Sequence, residues 1–156
     1  MNNQKLQFIE TDVLPLLATL DPAESGQWGK MNAWQMTEHL IGFFKVSTNK
    51  LIFPLVTPAA VLIKMLQFLR SDKPFRENTI APVLPEMPLP VQLATYEIAL
   101  EQLQTEINDF IEKFTHTPGL TTQHPVFGNL DFDDWVLLHY KHVTHHLKQF
   151  GLVVPS

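Results

Sequence analysis

Hydrophobic residues recur every three or four positions along most of the chain, the spacing at which side chains share one face of an α-helix. The first such stretch runs from Leu6 to Leu20, where Pro15 lacks a backbone donor and predicts a kink. A second stretch begins after Asn32, which stands three residues before Gln35 as in a capping box, and runs to about Lys50. The pattern therefore predicts two amphipathic helices in the first third of the chain.

Three further helices are predicted in the rest of the chain. A short one begins with Thr57 as N-cap and Pro58 as its first residue, and reaches Arg70. A longer one carries a strict seam of apolar residues in alternating steps of three and four: Leu93, Tyr96, Leu100, Leu103, Ile107, Phe110 and Phe114. The last helix has Asp131 as N-cap and Gly151 as its stop.

The connections show no alternation of the kind that indicates β-strands. The proline-rich segment Ala81–Val91 is apolar enough to pack over the helices or to cover a pocket. We therefore predict an all-α fold, an up-and-down four-helix bundle with an additional short helix and a long crossover connection. With 156 residues, 45% of them hydrophobic, residues 1–156 are expected to form a single helical bundle domain.

The apolar seam also bears on assembly. Its length predicts a helix that packs nearly parallel to a neighbour, within the chain or in a second subunit. The segment Leu51–Leu69 has more apolar residues than a short surface helix needs. Both features predict a homodimer.

Composition excludes several classes of function. The chain has no cysteine, which rules out a thiolate metal site, a thiol nucleophile and a disulfide framework. Its formal charge of −5 opposes the attraction on which non-specific nucleic-acid binding depends, so no nucleic acid is expected as a partner. The N-terminus lacks a signal-peptide pattern, and the apolar run Leu51–Ile63 is too short to span a bilayer. We expect a cytoplasmic protein with no membrane partner.

Four of the seven histidines lie in the last predicted helix. At about 100° per residue, one narrow stripe of that helix carries Trp135, His139, His142, His146, Gln149 and Phe150. His145 points roughly 60° or more away from the centre of this stripe. His142 and His146 sit on successive turns and can bind one metal ion, but two imidazoles hold a divalent ion poorly and need a third ligand. The candidates for it are His39, His116, His124 and His139.

His39 lies on the inward face of the second predicted helix, beside Met36 and Phe43. A single inward histidine is often only a hydrogen-bonded core residue. If the fold brings His39 opposite His142 and His146, the three can form a metal site of the kind that bundles build from facing helices. Both interpretations stay open at this point.

Four segments stand in a characteristic order along the chain: Trp28, Gln35–His39, His124–Gly128, and Asp134-Trp135 followed by His142–Gln149. Their order and spacing, over nearly the whole chain, resemble the DinB-like family of metalloenzymes, especially one of its uncharacterised branches. The resemblance implies a four-helix bundle in which His39, His142 and His146 bind a metal and water completes the shell. In relatives the second histidine of this pair is commonly followed by Arg-Gly-Gln, whereas here His146 is followed by Leu147-Lys148-Gln149, which keeps the glutamine and not the Arg-Gly.

The same resemblance implies a range of functions. Members with known chemistry are thiol-dependent S-transferases and a related isomerase, and many others have no established activity. Independently, a neutral three-histidine site favours a divalent transition metal such as Zn, Ni, Cu or Fe over Mg or Ca, and we expect Zn or Ni. We predict a metal-dependent transferase or hydrolase acting on a small-molecule substrate, which we expect to carry a thiol. The alternative is a non-catalytic helical bundle that binds a metal, a small ligand or a protein partner.

A pocket is expected beside the metal, lined by Trp135, His139 and Gln149 and covered in part by the proline-rich segment. Trp135 would supply an apolar wall, and His139 a group for proton transfer near neutral pH or for support of a ligand. The other interpretation places Trp135 in the core and leaves His139 merely hydrogen-bonded.

Overall fold

The structure is a computed structural model that describes residues 3–77, 79 and 88–152. The fold of these residues is mostly helical, with one small antiparallel sheet. The elements are α1 (Asn3–Thr11), α2 (Val13–Ala18), α3 (Ala33–Ser47), α4 (Ala59–Arg70), α5 (Tyr96–His116), β1 (Thr122–His124), β2 (Gly128–Leu130) and α6 (Phe132–Gln149). Most of the proline-rich segment, and with it the predicted cover of a pocket, lies outside the described residues.

The first predicted helix is divided into α1 and α2. Pro15 has no N–H to donate to the carbonyl of Thr11 four residues earlier, and its ring crowds that carbonyl. Accordingly α1 ends at Thr11, and α2 begins at Val13, with Asp12 between them. The predicted kink at the proline is thus a break one turn before it.

Two of the three predicted helix starts are as expected. Asn32 accepts a hydrogen bond from the backbone N–H of Gln35, whose side chain accepts one from the N–H of Asn32, which completes the capping box of α3. Asp131 caps α6 through the N–H of Asp134. The N-cap predicted for α4 was wrong. The Thr57 hydroxyl donates to the carbonyl of Val126, and Pro58 occupies the cap position.

A β-hairpin occupies the loop before α6, where the sequence predicted no strands, so the all-α prediction was wrong in this detail. β1 and β2 pair antiparallel with His124 opposite Gly128. Gly128 has a φ of +79°, a left-handed conformation that favours glycine. Each strand has three residues, which is too short for alternation to be recognised in the sequence.

The apolar seam of α5 is buried inside the chain. Helix α5 packs mainly against α3 and also contacts α1 and α2, while α1 packs against α6. The seam residues Leu103, Ile107 and Phe110 are fully buried by these contacts. The seam therefore has an intramolecular partner and gives no support for a second subunit.

Exposed apolar residues are concentrated in the segment before α4 and in its first turns. Ile52 is 74% exposed and Ile63 is 69% exposed, and Leu55 and Val56 are exposed as well. The homodimer stays a prediction that now rests on these exposed residues. A monomer mass that does not change with concentration in light scattering would contradict it. None of the described helices is long and apolar enough to cross a membrane.

Candidate metal centre

Three histidine side chains from α3 and α6 meet inside the fold. The Nε2 atom of His142 lies 2.9 Å from Nε2 of His39 and 3.1 Å from Nε2 of His146. One ring nitrogen from each of the three lies within 4.8 Å of the others. We call these residues the histidine cluster.

The local sequence explains why His142 and His146 lie close together. The spacing of four residues places His142 and His146 on successive turns of α6, on the face that packs against α3. On α3, His39 and Phe43 are also four residues apart, and the Phe43 ring stacks on His142 at 3.9 Å between centroids. The cluster is thus enclosed by side chains that recur at one-turn intervals on both helices.

The geometry of the cluster fits a transition-metal ion. With metal–nitrogen bonds of about 2.0–2.1 Å, two nitrogen ligands lie about 2.9 Å apart at a right angle and about 3.3 Å apart at the tetrahedral angle. The separations of 2.9 Å and 3.1 Å fall within this interval. Both contacts of His142 therefore suit a shared ion, and the nitrogens of His39 and His146 lie within 4.8 Å of each other.

Hydrogen bonding determines which nitrogen of His146 faces the cluster as an acceptor. The amide Nε2 of Gln149 donates to the carbonyl of Trp28 at 2.8 Å, so its Oε1 faces His146 Nδ1 at 2.7 Å. That oxygen can only accept, so Nδ1 of His146 carries the proton and Nε2 presents a lone pair. One bridging proton or one metal ion then accounts for the close approach of the three nitrogens.

Burial keeps the cluster uncharged. Desolvation, with a smaller contribution from His145, lowers the pKa of His39 to about 4. Desolvation and the neighbouring histidines lower the pKa values of His142 and His146 well below 6.5. All three rings are therefore neutral at pH 7, the form in which imidazole binds a metal.

The loop before α3 closes around the Gln149 side chain. The backbone N–H of Gln27 donates to the carbonyl of Gln149 at 2.7 Å. A Cβ on Gly29, which has a φ of +77°, would lie 2.6 Å from Nε2 of Gln149, and one on Gly26 would lie 2.9 Å from its Cγ. Both glycines allow the loop to approach, so Gln149 is fixed where it supports His146.

Trp135 and His139 lie in the core. Both are fully buried, and Nε1 of Trp135 and both ring nitrogens of His139 have no hydrogen-bond partner among the described residues. Burial, with a contribution from His124, lowers the pKa of His139 well below 6.5. A buried ring that stays neutral argues against the proton-transfer role considered for His139, and the placement of Trp135 favours the core interpretation.

The other histidines lie outside the cluster. His116 is exposed, 3.8 Å from Glu112. His124 accepts hydrogen bonds at Nδ1 from the N–H groups of Val126 and Phe127 in the hairpin, and burial lowers its pKa to about 3. His145 is half-buried; its ring lies 5.1 Å from that of His146, but it is not one of the three converging histidines.

Phe75 is a residue near the cluster that the sequence gave no reason to select. Its ring centroid lies 6.4 Å from that of His142 and 5.9 Å from that of His145. It stands after α4 in an irregular segment, so no periodic signal could have identified it.

A groove of about 470 Å³ on α4, lined by Ile63, Leu66, Gln67, Arg70 and Ser71, has no cluster residue in its wall.

Comparisons with known proteins identify a family without an activity. The sequence model of a family described as "Protein of unknown function (DUF1569)" matches residues 2–152. No curated protein and no solved structure gives a significant match. The chemistry must therefore be argued from the side chains.

Proposed function

We propose that this chain, which belongs to the DUF1569 family of proteins of unknown function, binds one divalent transition-metal ion through His39, His142 and His146. The observation that carries the proposal is the convergence of three Nε2 atoms, with separations of 2.9 Å and 3.1 Å between neighbours. Burial supports it as well, because neutral imidazoles bind metal without first releasing a proton.

The donor set favours Zn or Ni. Three neutral nitrogens suit borderline transition metals, whereas Mg and Ca require oxygen ligands. Three protein ligands leave at least one coordination position for water or substrate, as in catalytic zinc sites, where the metal acts as a Lewis acid. Gln149 would orient His146 by accepting a hydrogen bond from its Nδ1–H.

We further propose that the site performs metal-dependent chemistry on a small molecule, as the resemblance to the DinB-like four-helix bundles implies. Within the part of the chain that the structure describes, no carboxylate belongs to the cluster. Glu38, next to His39, accepts hydrogen bonds from the backbone N–H groups of Gln92 and Leu93. With no carboxylate of the described residues in the cluster, a substrate that brings its own ionisable group, such as a thiol, suits the site better than hydrolysis does.

The second candidate is a non-catalytic bundle that binds a metal or ligand. The burial of His139 favours it, because a fully buried, neutral ring is poorly placed for proton transfer, one of the roles considered for this residue. An activity screen distinguishes the two functions. Metal-loaded protein and its His142→Ala variant are assayed for thiol conjugation and for ester and amide hydrolysis. Activity lost in the variant supports the enzyme, and activity equal or absent in both supports the non-catalytic function.

Elemental analysis tests the metal site itself. We expect about one ion per chain in untagged protein purified without added metal. The triple variant His39→Ala/His142→Ala/His146→Ala is expected to hold none, whereas His116→Ala and His145→Ala keep the ion. A triple variant that still binds one equivalent would place the metal elsewhere.

A further inference from the structure

Aromatic rings surround the histidine cluster. Phe43 stacks on His142 at 3.9 Å, and Phe75 stands edge-on to the same ring at 6.4 Å. Trp28 lies 5.6 Å from His145, whose own ring is 5.1 Å from that of His146. We call Trp28, Phe43 and Phe75 the aromatic rim. All three are half-buried, so part of each ring is accessible to solvent.

The segment that carries Phe75 is held against α6 by polar contacts. Arg70 donates two hydrogen bonds to Asp134, both at 3.0 Å. Lys141 donates to the carbonyls of Ser71 and Lys73. Phe75 therefore has a defined place beside the cluster, although it belongs to no helix or strand.

Charge does not distinguish this neighbourhood. The charged groups that act on His145 are Glu77 and Lys148, one of each sign, and both are exposed. Glu38 is engaged by backbone N–H groups. His39 is less buried than His142 and His146, so the cluster is reached from its side. Among the described residues, a molecule that approaches there meets aromatic rings with charges of both signs beside them.

From these observations we infer that the site takes a small ligand that combines an aromatic ring with one metal-binding donor group. The inference rests on the proposed metal site and adds the class of ligand. The donor binds the ion, and the ring covers the accessible parts of the aromatic rim, removing apolar surface from water. Each ring contact strengthens binding by roughly twofold to tenfold.

Two hydroxamates with the same donor atoms provide a matched test. Cobalt(II) is loaded in place of the native ion, and its visible absorption reports binding of benzohydroxamate and of acetohydroxamate. We expect benzohydroxamate to bind about tenfold more tightly or better. Phe75→Ala and Trp28→Ala are each expected to reduce this preference severalfold without changing cobalt stoichiometry. The control Phe53→Ala, another half-buried phenylalanine in a loop, is expected to leave the preference unchanged.

The outcomes separate this inference from the proposed function. Stoichiometric cobalt with equal affinity for the two hydroxamates overturns the aromatic preference and leaves the metal site standing. A preference that persists undiminished in both rim variants overturns the role of the rim. Failure to bind cobalt overturns the metal site and the inference with it. The comparison of the two probes on the unmodified protein needs no variant, so a variant that fails to fold does not prevent the test.

Discussion

The histidines on one face of helix α6 have two different environments. Towards its C-terminus, His142 and His146 turn their Nε2 atoms towards each other, and His142 also faces His39. One turn earlier, His139 stacks on Phe44 at 3.8 Å with the ring planes 8° apart. Both ring nitrogens of His139 are buried without a partner among the described residues.

The difference arises from what α3 presents at each level. His139 and His142 are both buried and both have a depressed pKa, so neither property distinguishes a ligand from a core residue. From α3, the ring of Phe44 faces His139, whereas a nitrogen of His39 faces His142. The proposed metal site therefore rests on the convergence of donor atoms and not on burial.

The largest expected effect is on metal binding. His142→Phe removes the nitrogen that is shared by both close contacts, so we expect stoichiometric binding to be lost. His139→Phe, the same change one turn away, should leave one ion bound per chain. Elemental analysis of both variants after dialysis against metal-free buffer measures the difference. Equal metal content in the two variants would remove the distinction between the two levels of α6.

Acid should destabilise the metal-free protein. The pKa of His39 is 6.5 in the unfolded chain and about 4 in the fold, so between these values only the unfolded chain takes up the proton. The contribution of His39 to the free energy of unfolding is therefore complete above pH 6.5 and is lost as the pH falls towards 4. A shift of this size corresponds to about 3 kcal/mol for His39 alone.

Denaturant unfolding between pH 7.5 and 4 measures this loss. Metal-loaded protein should show it at a lower pH, because the bound ion competes with protons for the same nitrogens. Identical pH profiles with and without metal would contradict binding at the histidine cluster.

A smaller effect is expected from Gln149. Gln149→Ala removes the acceptor for Nδ1 of His146 and the donor to the Trp28 carbonyl, which frees the histidine to rotate. Loss of such a support typically weakens metal affinity by about 10- to 100-fold. Competition with a chromophoric chelator measures the affinity. Gln149→Glu, which keeps an acceptor, should retain more affinity than Gln149→Ala, and an unchanged affinity in both variants would limit Gln149 to closing the loop.

The smallest expected effect concerns the stability of the metal-free fold. His139→Phe replaces two buried nitrogens, which have no partner among the described residues, by apolar atoms, and the new ring can stack between Phe44 and Trp135. We expect the free energy of unfolding at pH 7 to stay the same or to rise by about 1 kcal/mol. A loss of 2 kcal/mol or more would show that the His139 nitrogens have a partner, such as a buried water.

Local features were determined by the sequence itself. The capping box of Asn32 and Gln35, the Asp131 cap and the one-turn spacing of His142 and His146 involve residues within four positions of one another. Apolar periodicity likewise predicted the positions of most helices. Interactions across a single turn depend on a few neighbouring residues, so they can be read without knowledge of the rest of the chain.

Only the tertiary structure decided which histidine joins that pair. From the sequence, His39, His116, His124 and His139 were all candidates. The contact of His39 with His142 joins residues 103 positions apart, and that of Gln149 with Trp28 joins residues 121 positions apart. Such contacts depend on how α3, α6 and the loop before α3 pack together. The packing results from the burial of many apolar side chains at once, so no single motif specifies which polar groups it brings into contact.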